Sequence, residues 1–236
     1  MPFTSIRAAA VLDDELRRSI YAFIRKRRHP VTREEIATAV GITRRLAAFH
    51  LDKMVERGIL KADYARPAGR GGPGAGRPAK RYQPSGEDIR VSIPERRYDL
   101  AGEIFLVAIQ TQAPGERSWE AALRVARERG FDVGSRVREE IGLGRPGSER
   151  ALSAAEHALE PFGFEPYRPS PHEVALANCP FHALAQEAPE LVCQVNRNFI
   201  EGVVRGLGNE TVQAVLERLP ADCCVTLRAP RGQRIK

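Results

Sequence analysis

Residues 31–60 read Val-Thr-Arg-Glu-Glu-Ile-Ala-Thr-Ala-Val-Gly-Ile-Thr-Arg-Arg-Leu-Ala-Ala-Phe-His-Leu-Asp-Lys-Met-Val-Glu-Arg-Gly-Ile-Leu. The punctuation of that stretch leaves little choice of local fold. Thr32 offers a side-chain oxygen to the unpaired N–H groups of a helix start, and Glu35, three residues on, completes a capping box. Ile36, Ala37 and Val40 give the helix one apolar face. Gly41 supplies a turn, Thr43 caps a second helix, and Gly58 ends it where a left-handed residue is needed. Two short helices around a tight glycine turn form a helix-turn-helix, whose second helix enters the major groove of DNA. The expected partner is double-stranded DNA.

Charge follows the same segment. The first 97 residues hold 21 Lys/Arg and 11 Asp/Glu, a net of +10, whereas the remainder holds 16 and 19, a net of −3. The overall +7 is thus concentrated around the helix pair, where a positive field attracts phosphates. A hydrophobic fraction of 42% is enough for a true core. No apolar run reaches membrane-spanning length and no signal-peptide pattern opens the chain, so a cytoplasmic protein without a membrane partner is expected.

In the helix from Thr43 to Arg57, Ala47, Leu51, Met54 and Val55 recur at core spacing. The groove side then falls to Thr43, Arg44, Arg45, Leu46, Ala48, Phe49 and Lys53. Arginine grips guanine O6 and N7 with two parallel hydrogen bonds, which makes Arg44 and Arg45 the base readers. Leu46, Ala48 and Phe49 suit thymine methyl groups, and Lys53 suits phosphate. His50 reads as a packed or backbone-bonded histidine. Ile59 to Ala65 reads as a strand, the Gly/Pro/Arg-rich residues 66–80 as a tip, and Arg81-Tyr82-Gln83 as a returning strand. This makes a wing with Arg66, Arg70, Arg77, Lys80 and Arg81 along its arms, and Tyr64 and Tyr82 as a cross-strand pair.

Elsewhere, Leu12 to Arg28 has helical spacing and a basic end. Pro84 to Pro94 is a connector, and apolar helices are expected over Tyr98–Gln112 and Trp119–Arg138. A capped helix follows from Ser148. Two extended pieces lie between Gly163 and Asn178, and a long helix starts at Pro189 and runs to Gly206. A further helix is expected over Thr211–Leu219 and a strand over Cys223–Leu227. The expected class is α+β. Residues 1–84 form a winged helix-turn-helix domain, 85–147 a connector and helical dimerisation region, and 148–236 a small α+β sensing domain.

The run from Gly41 to Leu51, followed by Met54-Val55-Glu56-Arg57-Gly58-Ile59-Leu60, resembles the recognition helix and strand start of winged-helix regulators of the ArsR/MarR kind. The spacing of Gly76-Arg77-Pro78 and Tyr82 is similar to the narrower SufR-like group, whose members regulate iron–sulfur assembly genes. The winged-helix resemblance covers roughly the first third of the chain.

Four cysteines fall in the last quarter: Cys179, Cys193, Cys223 and Cys224. Clustered cysteines in a reducing compartment point to metal or redox chemistry. In a strand-helix-strand arrangement they converge at one end of the domain, where thiolates suit an iron–sulfur cluster or zinc. Adjacent residues on a strand face opposite ways, so only one of Cys223 and Cys224 is expected to ligate, with His182 or a carboxylate as a fourth donor. The bland alternative is buried cysteines that only pack, with no cofactor. The SufR-like resemblance, and a similar one to vinyl-reductase-type ligand domains, extends to a cysteine before a long helix, one within it and one or more near the last strand. It also takes in the glycine pattern of Asn198 to Gly208.

Enzyme chemistry is not indicated. Gly69 to Gly76 lacks the Gly-Lys-Ser/Thr of a phosphate loop. His157 and His172 have no nucleophile at a telling spacing, and Glu120, Glu128, Glu139 and Glu140 read as solvated helix faces. The expectation is a homodimeric DNA-binding regulator whose C-terminal domain senses a cluster, metal or small ligand. The competing readings are a structural zinc site and, ranked last, a reductase-like enzyme with a DNA-binding head.

Overall fold

The computed structural model describes residues 2–65, 78–217 and 223–230. It is a mixed α and β protein of two compact units, residues 1–91 and 92–236.

In the first unit, α1 (Pro2–Ala10) leads through a 3₁₀ turn at Val11–Asp13 into α2 (Glu15–Lys26). Asp14 caps α2 by accepting from the Arg17 N–H at 2.8 Å. That cap explains why the helix starts later than the apolar spacing from Leu12 suggests. After β1 (Val31–Thr32) comes α3 (Arg33–Val40), opened by the anticipated capping box. The Glu35 N–H donates to Thr32 Oγ1 at 3.3 Å, and the Thr32 N–H donates to Glu35 Oε2 at 2.7 Å. Gly41 takes the left-handed conformation at φ 72°, α4 (Arg44–Glu56) follows, and Gly58 at φ 77° lets the chain leave it.

Strands β2 (Leu60–Ala65) and β3 (Ala79–Pro84) are antiparallel, and β3 lies between β1 and β2. Two residues of β1 are too few for a periodicity to reveal. The register sets Tyr82 opposite Ala62 and Val31, and Tyr64 opposite Lys80. The anticipated Tyr64–Tyr82 pair is therefore offset by two residues. Tyr82 is buried and Tyr64 stands in solvent. Ile20, Ile24, Ile36, Leu51, Met54 and Tyr82 make a dry centre, each large apolar side chain stabilising the unit by about 1.5–3 kcal/mol on burial.

The second unit runs α5 (Tyr98–Gln110), α6 (Ser118–Glu140), α7 (Ser148–Leu159), β4 (Pro166–Ser170), β5 (Glu173–Leu176), α8 (His182–Glu187), α9 (Pro189–Gly206), β6 (Gln213–Leu216) and β7 (Val225–Arg228). Its antiparallel sheet has the order β4-β5-β7-β6. One core joins Leu100 and Ile104 of α5, Ala122 and Ala126 of α6, Leu152 of α7, Val174 of β5, and Phe199 and Val203 of α9. The boundary anticipated at 147/148 falls inside that core. No side chain caps α7; Ser148 Oγ instead meets Thr211 Oγ1 at 3.0 Å.

Helices α6 and α9 are pressed together through glycine. A Cβ on Gly130 would lie 1.9 Å from the Phe199 carbonyl oxygen, and one on Gly134 2.1 Å from that of Val203. Reciprocally, a Cβ on Gly202 would lie 2.1 Å from the Arg127 oxygen, and one on Gly206 2.2 Å from that of Phe131. Glycines four apart on both helices thus bring the two backbones into direct contact.

The segment from Thr211, anticipated as a helix, is β6. The Asn209 side chain accepts from the N–H groups of Thr211 and Val212 at 2.9 and 2.8 Å, and residues 213–216 pair with β7. Helix α8 is additional, and Cys223 and Cys224 precede β7 rather than lying on it.

Candidate nucleic-acid interface and thiol cluster

Helix α4 has two unlike faces. Ala47, Leu51 and Met54 are fully buried, and His50 is nearly so. The opposite face presents Thr43, Arg44, Arg45 and Leu46 to solvent, with Ala48 and Lys53 half-buried. Phe49 is 63% exposed, a large aromatic surface left in water on a helix that has a core to pack into. Thr43 Oγ1 accepts from the Leu46 N–H at 3.2 Å and fixes where the helix begins. Lys53 meets Glu56 at 3.6 Å, whereas Arg44 and Arg45 have no ion-pair partner among the described residues. His50 is packed and not backbone-bonded through Nδ1, which lacks a partner, and its ring meets Phe49 edge-on at 5.2 Å between centroids.

The hairpin is tied to α4 through Asp52. Lys80 Nζ donates to Asp52 Oδ1 at 2.6 Å, and the Tyr82 hydroxyl reaches the same oxygen at 3.5 Å. The Asp52 carboxylate holds the Lys80 ammonium above the ordinary lysine range, with burial acting against it. Arg81 forks onto Asp63 at 3.2 and 3.1 Å across the strands. Lys80 and Arg81, expected from sequence to carry positive charge along the arms, are thus engaged with carboxylates. Arg66, Arg70 and Arg77 lie outside the described residues.

In the second unit, three of the four cysteines meet. Cys179 lies in the loop after β5, and its thiol accepts from Cys223, which also bonds to Cys224. Cys223 is 1% exposed; its N–H donates to the Leu176 carbonyl at 2.9 Å, and its sulfur receives the Asn196 amide at 3.1 Å. The Cys223 hydrogen bond holds the Cys179 thiol below its ordinary value; burial opposes this, while the Phe181 N–H and the Arg96 charge assist it. Cys223 itself is pushed well up, first by its bonds to Cys179 and Cys224 and then by burial. Cys193, in the second turn of α9, shares the wall of a cavity of about 640 Å³ with Cys224, Trp119, Leu191 and Leu216. His182 is exposed at the start of α8.

Among the described residues, no three Cys, His, Asp or Glu side chains are gathered so as to hold a metal ion.

Two buried amides escaped the sequence reading. Asn196 is wholly buried, with Oδ1 unpartnered. Asn178, beside Cys179, donates to the carbonyls of Glu95 (2.9 Å) and Gly163 and accepts from Arg96, which also donates to the Cys179 carbonyl at 2.7 Å. Asparagine within an apolar stretch is the signal that could have found them, because it is seldom buried without a partner to satisfy. No protein-family model matches the chain, and no curated protein matches it.

Proposed function

We propose that the protein is a DNA-binding transcriptional regulator. Its amino-terminal unit acts as a winged helix-turn-helix, with α4 as the recognition helix and the β2–β3 hairpin as the wing. The observation that carries this reading is the outer face of α4. Two arginines with no ion-pair partner among the described residues share that face with a solvent-exposed phenylalanine, within a segment of net charge +10. Arg44 and Arg45 read base edges, Phe49 and Leu46 touch thymine methyls, and Lys53 meets phosphate. Lys80 positions the wing through Asp52 rather than gripping DNA alone.

A homodimer reads two half-sites related by two-fold symmetry. The outward stripe of α5, with Tyr98, Leu106 and Ile109 all exposed, is the face assigned to the second copy. The thiol-bearing unit is the sensing part.

The experiment is selection of duplexes from a random pool, followed by titration of the enriched sequence at several salt concentrations. The reading requires a selected motif and an affinity that falls steeply with salt. Absence of any salt-sensitive duplex binding sinks it.

A further inference from the structure

We infer that the basic run at the end of α2, Arg25-Lys26-Arg27-Arg28, is a second phosphate-binding surface of the first unit, which grips the sugar-phosphate backbone of the duplex whose bases α4 reads. It rests on the regulator reading and extends that interface to a surface supplied by neither α4 nor the hairpin.

All four side chains are exposed, and none has a carboxylate partner among the described residues. Cations elsewhere in the chain are treated differently. In the second unit Arg117, Arg124, Arg129, Arg168, Arg205 and Arg228 each hold a glutamate. The first unit pairs Arg33 with Glu34 and Arg81 with Asp63. The four cations at the end of α2 are instead left side by side in water, where they repel one another. The helix dipole accounts for only part of the run. Arg25 and Lys26 lie in the last turn of α2, where positive charge is favoured. Arg27 and Arg28 lie beyond it: the Arg27 N–H closes the helix onto the Ile24 carbonyl at 3.1 Å, and the Arg27 backbone is already extended. The Arg27 guanidinium sits 4.8 Å from the centre of the Phe23 ring, a contact that seats the cation at the surface.

The run is joined to the reading helix at both ends. Ile24, directly before it, is buried in one core with Leu51 and Met54 of α4. Beyond it, Val31 and Thr32 pair with Tyr82 and Arg81 of β3, and β3 is bonded to α4 through Lys80 and Asp52. Thr32 follows Arg28 by four residues, a span of at most ~14 Å. A surface of this kind neutralises phosphates and releases their counterions; it adds affinity and fixes orientation without selecting bases.

The full-length protein is titrated with the selected duplex and with a scrambled one at several salt concentrations. Two variants accompany it: Arg25→Gln, Lys26→Gln, Arg27→Gln and Arg28→Gln combined, and Arg25→Lys, Arg27→Lys and Arg28→Lys combined. The glutamine variant should lose affinity for both duplexes by the same factor. Its plot of log affinity against log salt should be shallower by about 2–4, at roughly 0.9 for each phosphate contact given up. The lysine variant should keep the wild-type slope. Phosphate ethylation should block the wild-type protein at a group of backbone positions that no longer matter to the glutamine variant. An unchanged slope, an unchanged ethylation pattern or a loss confined to the selected duplex overturns the surface. So does a lysine variant that behaves like the glutamine one, since charge is then not the cause. A wild-type protein without salt-sensitive duplex binding defeats the regulator reading and this surface with it. That result is distinct from normal wild-type binding with an unaltered slope in the glutamine variant, which defeats the surface alone.

Discussion

Replacing Gly202 with alanine asks the sharpest question of the second unit. The added methyl would sit 2.1 Å from the Arg127 carbonyl oxygen and 2.9 Å from the Phe131 nitrogen. An ordinary contact is near 3.4 Å, so α6 and α9 must part by roughly 1.3 Å. A radial gap of that order forfeits half or more of each dispersion contact along the crossing. Overpacking costs about 1–3 kcal/mol where side chains can turn aside. Here the obstruction is backbone, so the upper end applies, and the ~1 kcal/mol by which alanine favours a helix does not offset it. The net loss should be about 2 kcal/mol or more.

Urea unfolding followed by fluorescence isolates the effect, because the single tryptophan, Trp119, lies at the start of α6. The internal control is Gly102→Ala in α5, where an added methyl meets nothing within 4 Å. That variant should gain about 0.5–1 kcal/mol. If Gly202→Ala unfolds at the wild-type midpoint or above it, the close crossing is not what holds these helices together.

Arg44→Ala and Arg45→Ala should each cost about 1–3 kcal/mol of discrimination between the selected duplex and a scrambled one, measured by competition. Equal loss on both duplexes would reassign the two arginines to phosphate. In the capping box, the Thr32 N–H lowers the Glu35 carboxyl below the ordinary glutamate range. A lowered folded-state value contributes stability above the ordinary glutamate range that is lost as pH falls through it. Glu35→Gln should accordingly flatten the acid side of the stability profile of residues 1–91, read by helical circular dichroism during unfolding. Asp52→Ala removes the anchor of Lys80 and Tyr82; for partly exposed partners the loss of stability should stay within about 1 kcal/mol, while duplex affinity falls because the wing base is no longer tied to α4.

Local chemistry made the amino-terminal unit readable. Thr32, Glu35, Gly41, Thr43 and Gly58 each answer a backbone demand within a few residues, and each sits where that demand predicts. What could not be read there depends on distant pairing: β1 exists because β3 returns beside it, and Lys80 is occupied because Asp52 lies across the hairpin. In the second unit, Val212, Val215 and Leu216 fall at spacings three and four apart and imitate a helix face. The ladder to β7 and the Asn209 turn overrule that pattern. Helices α5 and α6 were assigned to a dimerisation segment because their apolar faces are plain in sequence. The partner of α6 is chosen by glycines whose meaning emerges only when α9 lies against them. The four cysteines drew attention to their end of the sequence; Asn178 and Asn196 were marked there only as amides among apolar residues, and their partners emerge only from the fold.

The carboxylate of Asp52 receives both Lys80 and Tyr82 while standing on the same helix as Arg44 and Arg45. Under the regulator reading, specificity and grip are mechanically inseparable in this unit. A load placed on the hairpin by a sugar-phosphate strand tilts the very rod that samples the bases. Operators differing only in flanking stiffness should then be ranked differently by the protein, even where every base within reach of the two guanidinium groups is the same.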